Sequence, residues 1–488
     1  MIKNKPLNSL KGPVSLNTTI SGKFPSVLIL LALMTTLTPI TSSYTFLFFL
    51  FLWLLWNSIP YNLPILRKQN SAQDRKTKNS VEILYRQYLV PFNVGIAIFA
   101  FLQLISAIGA YFTSKFEPSA KEVFVTSWHL LGKWVAIWIV LSQSIALLLR
   151  RGWNPQSIFR NFFVWILIYG IYCLAQRTWG IDWVRGFDAV LGDKRLAYGV
   201  YRISGMMSHP LTLTYNLMIL FFLSFSLGTL AKKSTKKKKS WVKNLVSWNT
   251  VAMISIIILV ASGSRFVLLV IPPTILIAYS AQWYHWLKEK LSYNKSQYLR
   301  KIFSTLTLII ILFIFVGHSS ISRFMELFDP QIPWHDRWPR LIYWKIHWDI
   351  FLSHPLFGVS VAKISTAAET FGQPFTQPNT SVLSIPSALP LDMMNAHNLF
   401  LQFLADSGFV GFIGLCILTF CLFQGSRKPE LHPQIRRGLN SIVIGFIGAS
   451  ISQNVLRDSE FVFAFWLSIA LLLAFSAHLL QEPQLNTA

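Results

Sequence analysis

The chain has 488 residues, 53% of them hydrophobic, with a mean hydropathy of +0.47 and only 13% charged side chains. A soluble domain carries about 25% charge, so this composition excludes an ordinary globular protein and points to an all-α polytopic membrane protein. The net charge of +25 is no nucleic-acid footprint, because most lysines and arginines cluster in short polar connections between apolar runs, as retained cytoplasmic charge does.

A helix needs about 20 apolar residues to cross a bilayer. Taken in order, the sequence predicts twelve spans: 24–42, 44–62, 89–112, 128–149, 161–177, 205–230, 245–262, 265–284, 302–318, 397–423, 438–455 and 460–480. Lys3, Lys5, Lys11 and Lys23 precede the first, which reads as a retained anchor. The stretches Arg67 to Arg86, Arg150-Arg151, Lys232 to Lys243, Lys288 to Lys301 and Arg427 to Arg437 then fall on one side, with both termini cytoplasmic. Lys236 to Lys239 read as a topology anchor beside anionic lipid headgroups. Cys173, Cys416 and Cys421 lie in apolar spans and form no disulfide or metal pattern.

The opposite side carries two longer segments. Residues 178–204 interleave Trp179, Trp183 and Phe187 with charged side chains, and residues 319–396 form one large loop. Within that loop, Trp338, Leu341, Trp344 and Trp348 recur at spacings of three to four, predicting a helix over 336–352. Arg337, Arg340, Lys345 and His347 stand between them, so the helix suits a membrane interface or packing on other helices. Residues 365–390, rich in Pro, Ser, Thr and Gln, are expected to be irregular. Four segments result: 1–194 with five spans, 195–318 with four, the loop 319–396, and 397–488 with three spans and a cytoplasmic tail.

Ionisable groups at membrane depth are costly, so each outer charge is a candidate for function. Arg202 opens the sixth span, Arg265 sits in the tight connection Ser262-Gly263-Ser264-Arg265, and His397 opens the tenth. Imidazole suits proton transfer near neutral pH. Two guanidinium groups suit the oxygens of a pyrophosphate, and fixed cations stabilise a departing diphosphate. Asp406, nine residues after His397, is placed to pair with an arginine of a neighbouring helix. Gly408, Gly411 and Gly414 permit close helix approach. Neither an HExxH spacing nor a DxD pair occurs, so no metal site or cofactor is expected.

These residues resemble the O-antigen ligase family, which includes O-antigen polymerases and some protein O-oligosaccharyltransferases. His397 followed by Gly408 is similar to the family's histidine motif at the end of its large periplasmic loop. Arg265 to Leu269 is similar to its RxxxL motif, and Tyr201 to Gly205 to the segment entering a central span. Arg340 to Trp344 followed by His354 to Gly358 resembles the loop segment ending in a Gly-x-Gly-like turn, with Ser360 in place of the second glycine. Asp406 stands where the family more often has Glu. The resemblance implies a GT-C-like glycosyltransferase in the bacterial inner membrane, its site facing the periplasm. It would move a glycan from undecaprenyl diphosphate to lipid A-core or a similar acceptor. By that resemblance His397 activates the acceptor hydroxyl, Arg202 and Arg265 bind the diphosphate, and Arg340 is a weaker addition to them.

Three alternatives stay open. A polymerase would join lipid-linked repeat units by the same chemistry. A protein O-oligosaccharyltransferase would use a protein acceptor. A transporter would favour broken helices and charges at the bilayer midplane, whereas the candidate charges here sit at helix ends.

Overall fold

The computed structural model describes residues 27, 29–34, 36–37, 45, 47–53, 72–116, 119–151, 153–180, 182, 184, 196–197, 200–201, 203–207, 209–231, 248–264, 266–267, 269–280, 284, 325, 328–331, 339–376 and 395–485. Its helices are α1 (Ala72–Thr113), α2 (Ala120–Arg150), α3 (Phe159–Trp179), α4 (Pro210–Ala231), α5 (Trp248–Ala261), α6 (Leu269–Ser280), α7 (Pro339–Ser353), α8 (Ile364–Thr376), α9 (Leu399–Ser426), α10 (Pro433–Ser452) and α11 (Ser459–Leu485). A two-residue antiparallel ladder, Leu196–Ala197 against Val200–Tyr201, precedes α4.

Among the described residues, six helical stretches are long and apolar enough to cross a membrane: Ser80–Thr113, Leu131–Arg150, Pro155–Trp179, Pro210–Gly228, Leu399–Ser426 and Ser459–Leu480. They correspond to the third, fourth, fifth, sixth, tenth and twelfth predicted spans. Helices α5 and α6 are shorter apolar helices at the seventh and eighth, and α10 stands at the eleventh. The first two predicted spans are described only in part, and the ninth, 302–318, lies outside the described residues.

Helices α4 and α11 run through the middle of the bundle and are buried on nearly every face. Their Phe, Leu and Trp side chains therefore need no polar stripe. Helices α1 and α9 pack along each other and turn their other faces outward, exposing Ile98, Phe101, Leu104 and Phe112 from α1 and Phe409, Ile413 and Phe420 from α9. Such exposed apolar faces suit lipid. Helix α2 starts with a capping box in which Ser119 and Glu122 satisfy each other's backbone N–H groups.

One end of the bundle gathers cations. Arg86 and Arg150 share Glu82, and the Lys428 ammonium donates to the Gln87 carbonyl. The stretches around Arg86, Arg150 and Arg427 therefore meet on one side, as their positions between the spans predict.

Helix α7 matches the helix predicted inside the large loop, but its faces are not those suggested by its tryptophans. Ile342, Ile346 and Ile350 pack with Val359, Ile364, Ala367, Ala368 and Ala405 in a second small core, and His347 is buried beside them. Leu341, Trp348 and Leu352 point outward. The helix thus packs on the bundle through one apolar face and presents a second to its surroundings. The expectation that residues 365–390 are irregular is corrected in part. Residues 365–376 belong to α8, where Ile364, Ala367, Ala368 and Phe371 form a helical stripe against the α7 core.

Helix α9 breaks inside its apolar run. Gly408 adopts φ 59° and ψ −164°, backbone that is essentially reserved for glycine. The segment after α7 fills the break. Val359 N–H donates to the Ala405 carbonyl (3.0 Å) and Ser360 N–H to that of Asp406 (2.9 Å). Phe409 N–H donates to the Pro355 carbonyl (2.8 Å) and Val410 N–H to that of Leu356 (3.1 Å). The Ser106 hydroxyl of α1 donates to the Ser407 carbonyl at 2.6 Å. Backbone groups freed at membrane depth must find protein partners, and here the loop segment and α1 supply them.

Candidate functional site

The site is built from the start of α9 outward. Asn398 caps the helix, its side-chain oxygen accepting from the backbone N–H groups of Phe400 and Leu401. His397, just before it, has φ 47°. Non-glycine residues rarely hold that conformation, and it persists where surrounding contacts over-determine it. Those contacts are on both sides. The His397 N–H donates to Asn395 Oδ1 at 2.9 Å, and Ala396 N–H donates to Gln402 Oε1 at 2.8 Å. The imidazole lies against the Tyr343 ring of α7, centroids 5.7 Å apart, and its Nδ1 is 2.7 Å from Gln453 Oε1.

A second polar chain supports the first. Gln402 Nε2 donates to Asp406 Oδ1 at 2.9 Å, and the other carboxylate oxygen of Asp406 pairs with Arg457. Asp406 is buried, and the pairing offsets part of the cost of burying its charge. The sequence placed Asp406 opposite an arginine of a neighbouring helix. The partner instead stands in the short turn between α10 and α11. Asp458, next to it, accepts from the Thr212 hydroxyl at the start of α4 (2.6 Å). Residues 453–458 therefore fasten α9, α4 and the His397 turn together.

Of the other residues singled out in the sequence, Arg340 is half-buried on α7, about one turn before Tyr343, whose ring lies against His397. Leu269 is exposed near the start of α6, away from any polar role. Gly408 serves the backbone break described above. A Cβ there would lie 2.4 Å from the carbonyl of Leu356. Gly411 and Gly414 do allow close approach, to Gln103 and Leu102 of α1.

Arg202 and Arg265 lie outside the described residues. Their chain neighbours are held at the C-terminal turn of α3. The Gln176 side chain makes two hydrogen bonds to Gly205, to its N–H at 2.8 Å and its carbonyl at 2.9 Å, and Arg177 donates to the Ala261 carbonyl. Gly205 and Gly263, both at positive φ, form the tight turns beside the two arginines.

Sequence reasoning missed Gln453, Arg457 and Asp458. Gln453 fell within a predicted span and carried no charge. Arg457 and Asp458 were detectable by the criterion that found Arg202 and Arg265, since they are ionisable groups on the side poor in charge. Around His354 the loop has its own polar anchor. Its Nε2 accepts from Lys115 N–H at 3.3 Å and its Nδ1 is 2.8 Å from Ser353 Oγ. Burial, and then the nearby Lys115 charge, push the imidazole below its usual pKa of 6.5.

No curated protein matches this chain. Residues 250–416 match the family model described as O-antigen ligase, a segment that includes Arg265, Leu269, Arg340, His397, Asp406 and Gly408 and ends before Gln453. Over residues 250–416 the chain is thus similar to the O-antigen ligase family.

Proposed function

We propose that this protein is a membrane glycosyltransferase that moves a glycan from undecaprenyl diphosphate to lipid A-core or a similar acceptor on the periplasmic face of the bacterial inner membrane. The family match supports the reaction class. One observation carries the site assignment: His397 is held at φ 47° by bonds to its own N–H, to the preceding N–H and to its ring. A surface histidine serving only as a helix neighbour does not need that much definition.

In this reading the acceptor hydroxyl attacks the anomeric carbon of the donor glycan. The new glycosidic C–O bond forms as the bond from that carbon to the diphosphate oxygen breaks. The hydroxyl proton goes to the His397 imidazole, and the diphosphate leaves with the bonding electrons. Arg202 and Arg265, with Arg340 as a further cation, hold the diphosphate and favour its developing charge over the ground state. They take the part that a divalent cation plays in many sugar-nucleotide transferases. The loop predicted over 319–396 selects the acceptor.

The test is transfer in liposomes by the purified chain, given an undecaprenyl diphosphate-linked glycan with lipid A-core as acceptor. Glycosylated lipid A-core supports the ligase. Elongated donor instead makes the protein a polymerase joining lipid-linked repeats. Wild-type transfer by a well-inserted His397→Ala variant overturns the role of His397.

A further inference from the structure

Gln453 is a well-defined partner for the His397 ring. It ends α10 as its C-cap residue in extended backbone, φ −156° and ψ 152°, with its N–H donating to the Ala449 carbonyl at 3.0 Å. Four residues on, Arg457 donates its N–H to the Asn454 carbonyl and pairs through its side chain with Asp406. Gln453 thus projects from a segment tied down at both ends. Its half-buried side chain places Oε1 2.7 Å from His397 Nδ1.

An amide oxygen accepts and cannot donate. With Gln453 Oε1 turned to the ring, the short contact requires a proton on Nδ1. A neutral imidazole has one N–H, so its lone pair then stands on Nε2, on the far side of the ring. The imidazole lies 5.7 Å from the Tyr343 ring, centroid to centroid, and its backbone is held at φ 47°. We infer that Gln453 is a positioning residue that fixes His397 in the Nδ1–H tautomer and leaves Nε2 as the atom that receives the acceptor proton. This deepens the proposed function and rests on it for the role of Nε2. An amide orients the ring without placing a negative charge beside it, so the ring is not biased toward the imidazolium form, which cannot accept a proton.

The test is ¹⁵N NMR of the histidine-labelled full chain in micelles, with His397→Asn identifying the His397 signals among those of ten histidines. Wild type should show an N–H at Nδ1 and an unprotonated Nε2. Gln453→Leu should give mixed tautomers and lower kcat roughly 10- to 100-fold, with KM changed less than twofold, as expected when the partner orienting a working imidazole is removed. Gln453→Glu keeps the acceptor and adds charge. It should restore much of the rate and move the acid limb of the pH profile up by about one unit. An Nε2–H tautomer in wild type, or an unchanged tautomer in Gln453→Leu, overturns the inference. The spectrum does not depend on transfer, so it is decided separately from the role of His397 in the reaction.

Discussion

Arg457 pairs with Asp406 two residues before α9 breaks at Gly408. The pair joins the turn between α10 and α11 to the same stretch of α9 that receives the loop segment 355–360 and, through Gln402, the backbone before His397. Removing one partner leaves the other charge unmatched. Asp406→Asn or Arg457→Gln alone should lower unfolding stability in detergent by about 2–3 kcal/mol, at or below the usual range for a fully buried pair because Arg457 is partly exposed. The double variant should lose less than the sum of the two. Chemical unfolding of all four forms measures the coupling, and additive losses would mean the pair contributes nothing.

Gly408 should be the least replaceable glycine of α9. Its φ and ψ exclude a side chain, and a Cβ would meet the Leu356 carbonyl at 2.4 Å. Gly408→Ala should cost more than about 3 kcal/mol, or prevent stable insertion, because backbone strain and the lost seat for 355–360 add together. Gly132 of α2 is the control, since a Cβ there meets nothing within 4 Å. Gly132→Ala should be neutral or gain up to about 1 kcal/mol. Comparing the two by thermal unfolding checks the prediction.

How much of this was legible beforehand depends on how local the cause is. Six of the apolar spans were, because the bilayer demands about 20 apolar residues in a row whatever lies beside them. So was compensation of Asp406 by an arginine, since a buried charge requires one. Its identity was not, because Arg457 is 51 residues away and only the packing of α9 against the α10–α11 turn brings it near. The break at Gly408 was hidden for a similar reason. Glycines three apart read as helix packing, which holds for Gly411 and Gly414, whereas the φ of Gly408 is set by hydrogen bonds to a segment 50 residues earlier. In α7 the tryptophans advertised one face, while Ile342, Ile346 and Ile350 formed the buried one. A helix with apolar side chains on both faces does not announce which one packs.

Ser360 carries strain that glycine would not. It stands at φ 73° directly where its N–H enters the break of α9. Left-handed backbone costs a non-glycine residue about 1–2 kcal/mol, against which glycine's greater freedom in the unfolded chain costs about 0.5–1 kcal/mol. Ser360→Gly should therefore gain about 0.5–1 kcal/mol. Ser360→Val, β-branched, should lose more than about 1 kcal/mol. A stability loss in the glycine variant would show that the Ser360 hydroxyl, which accepts from Ala362 N–H at 3.3 Å, outweighs the backbone term.

Acidification should loosen the loop at His354. Its Nε2 accepts from Lys115 N–H, so protonation there breaks the bond that ties α7 to the end of α1. Burial and the Lys115 charge hold the folded-state pKa below the usual 6.5, so the unfolded chain binds more protons in that range. The contribution is therefore fully present above about pH 6.5 and is lost as pH falls from there toward the folded-state value. Protection factors at Lys115 and Phe116, taken relative to the intrinsic exchange rate at each pH, should fall between pH 7.5 and 5.5. His354→Gln should abolish that fall, because its side chain does not titrate. Equal pH dependence in wild type and variant would assign the loosening to another group.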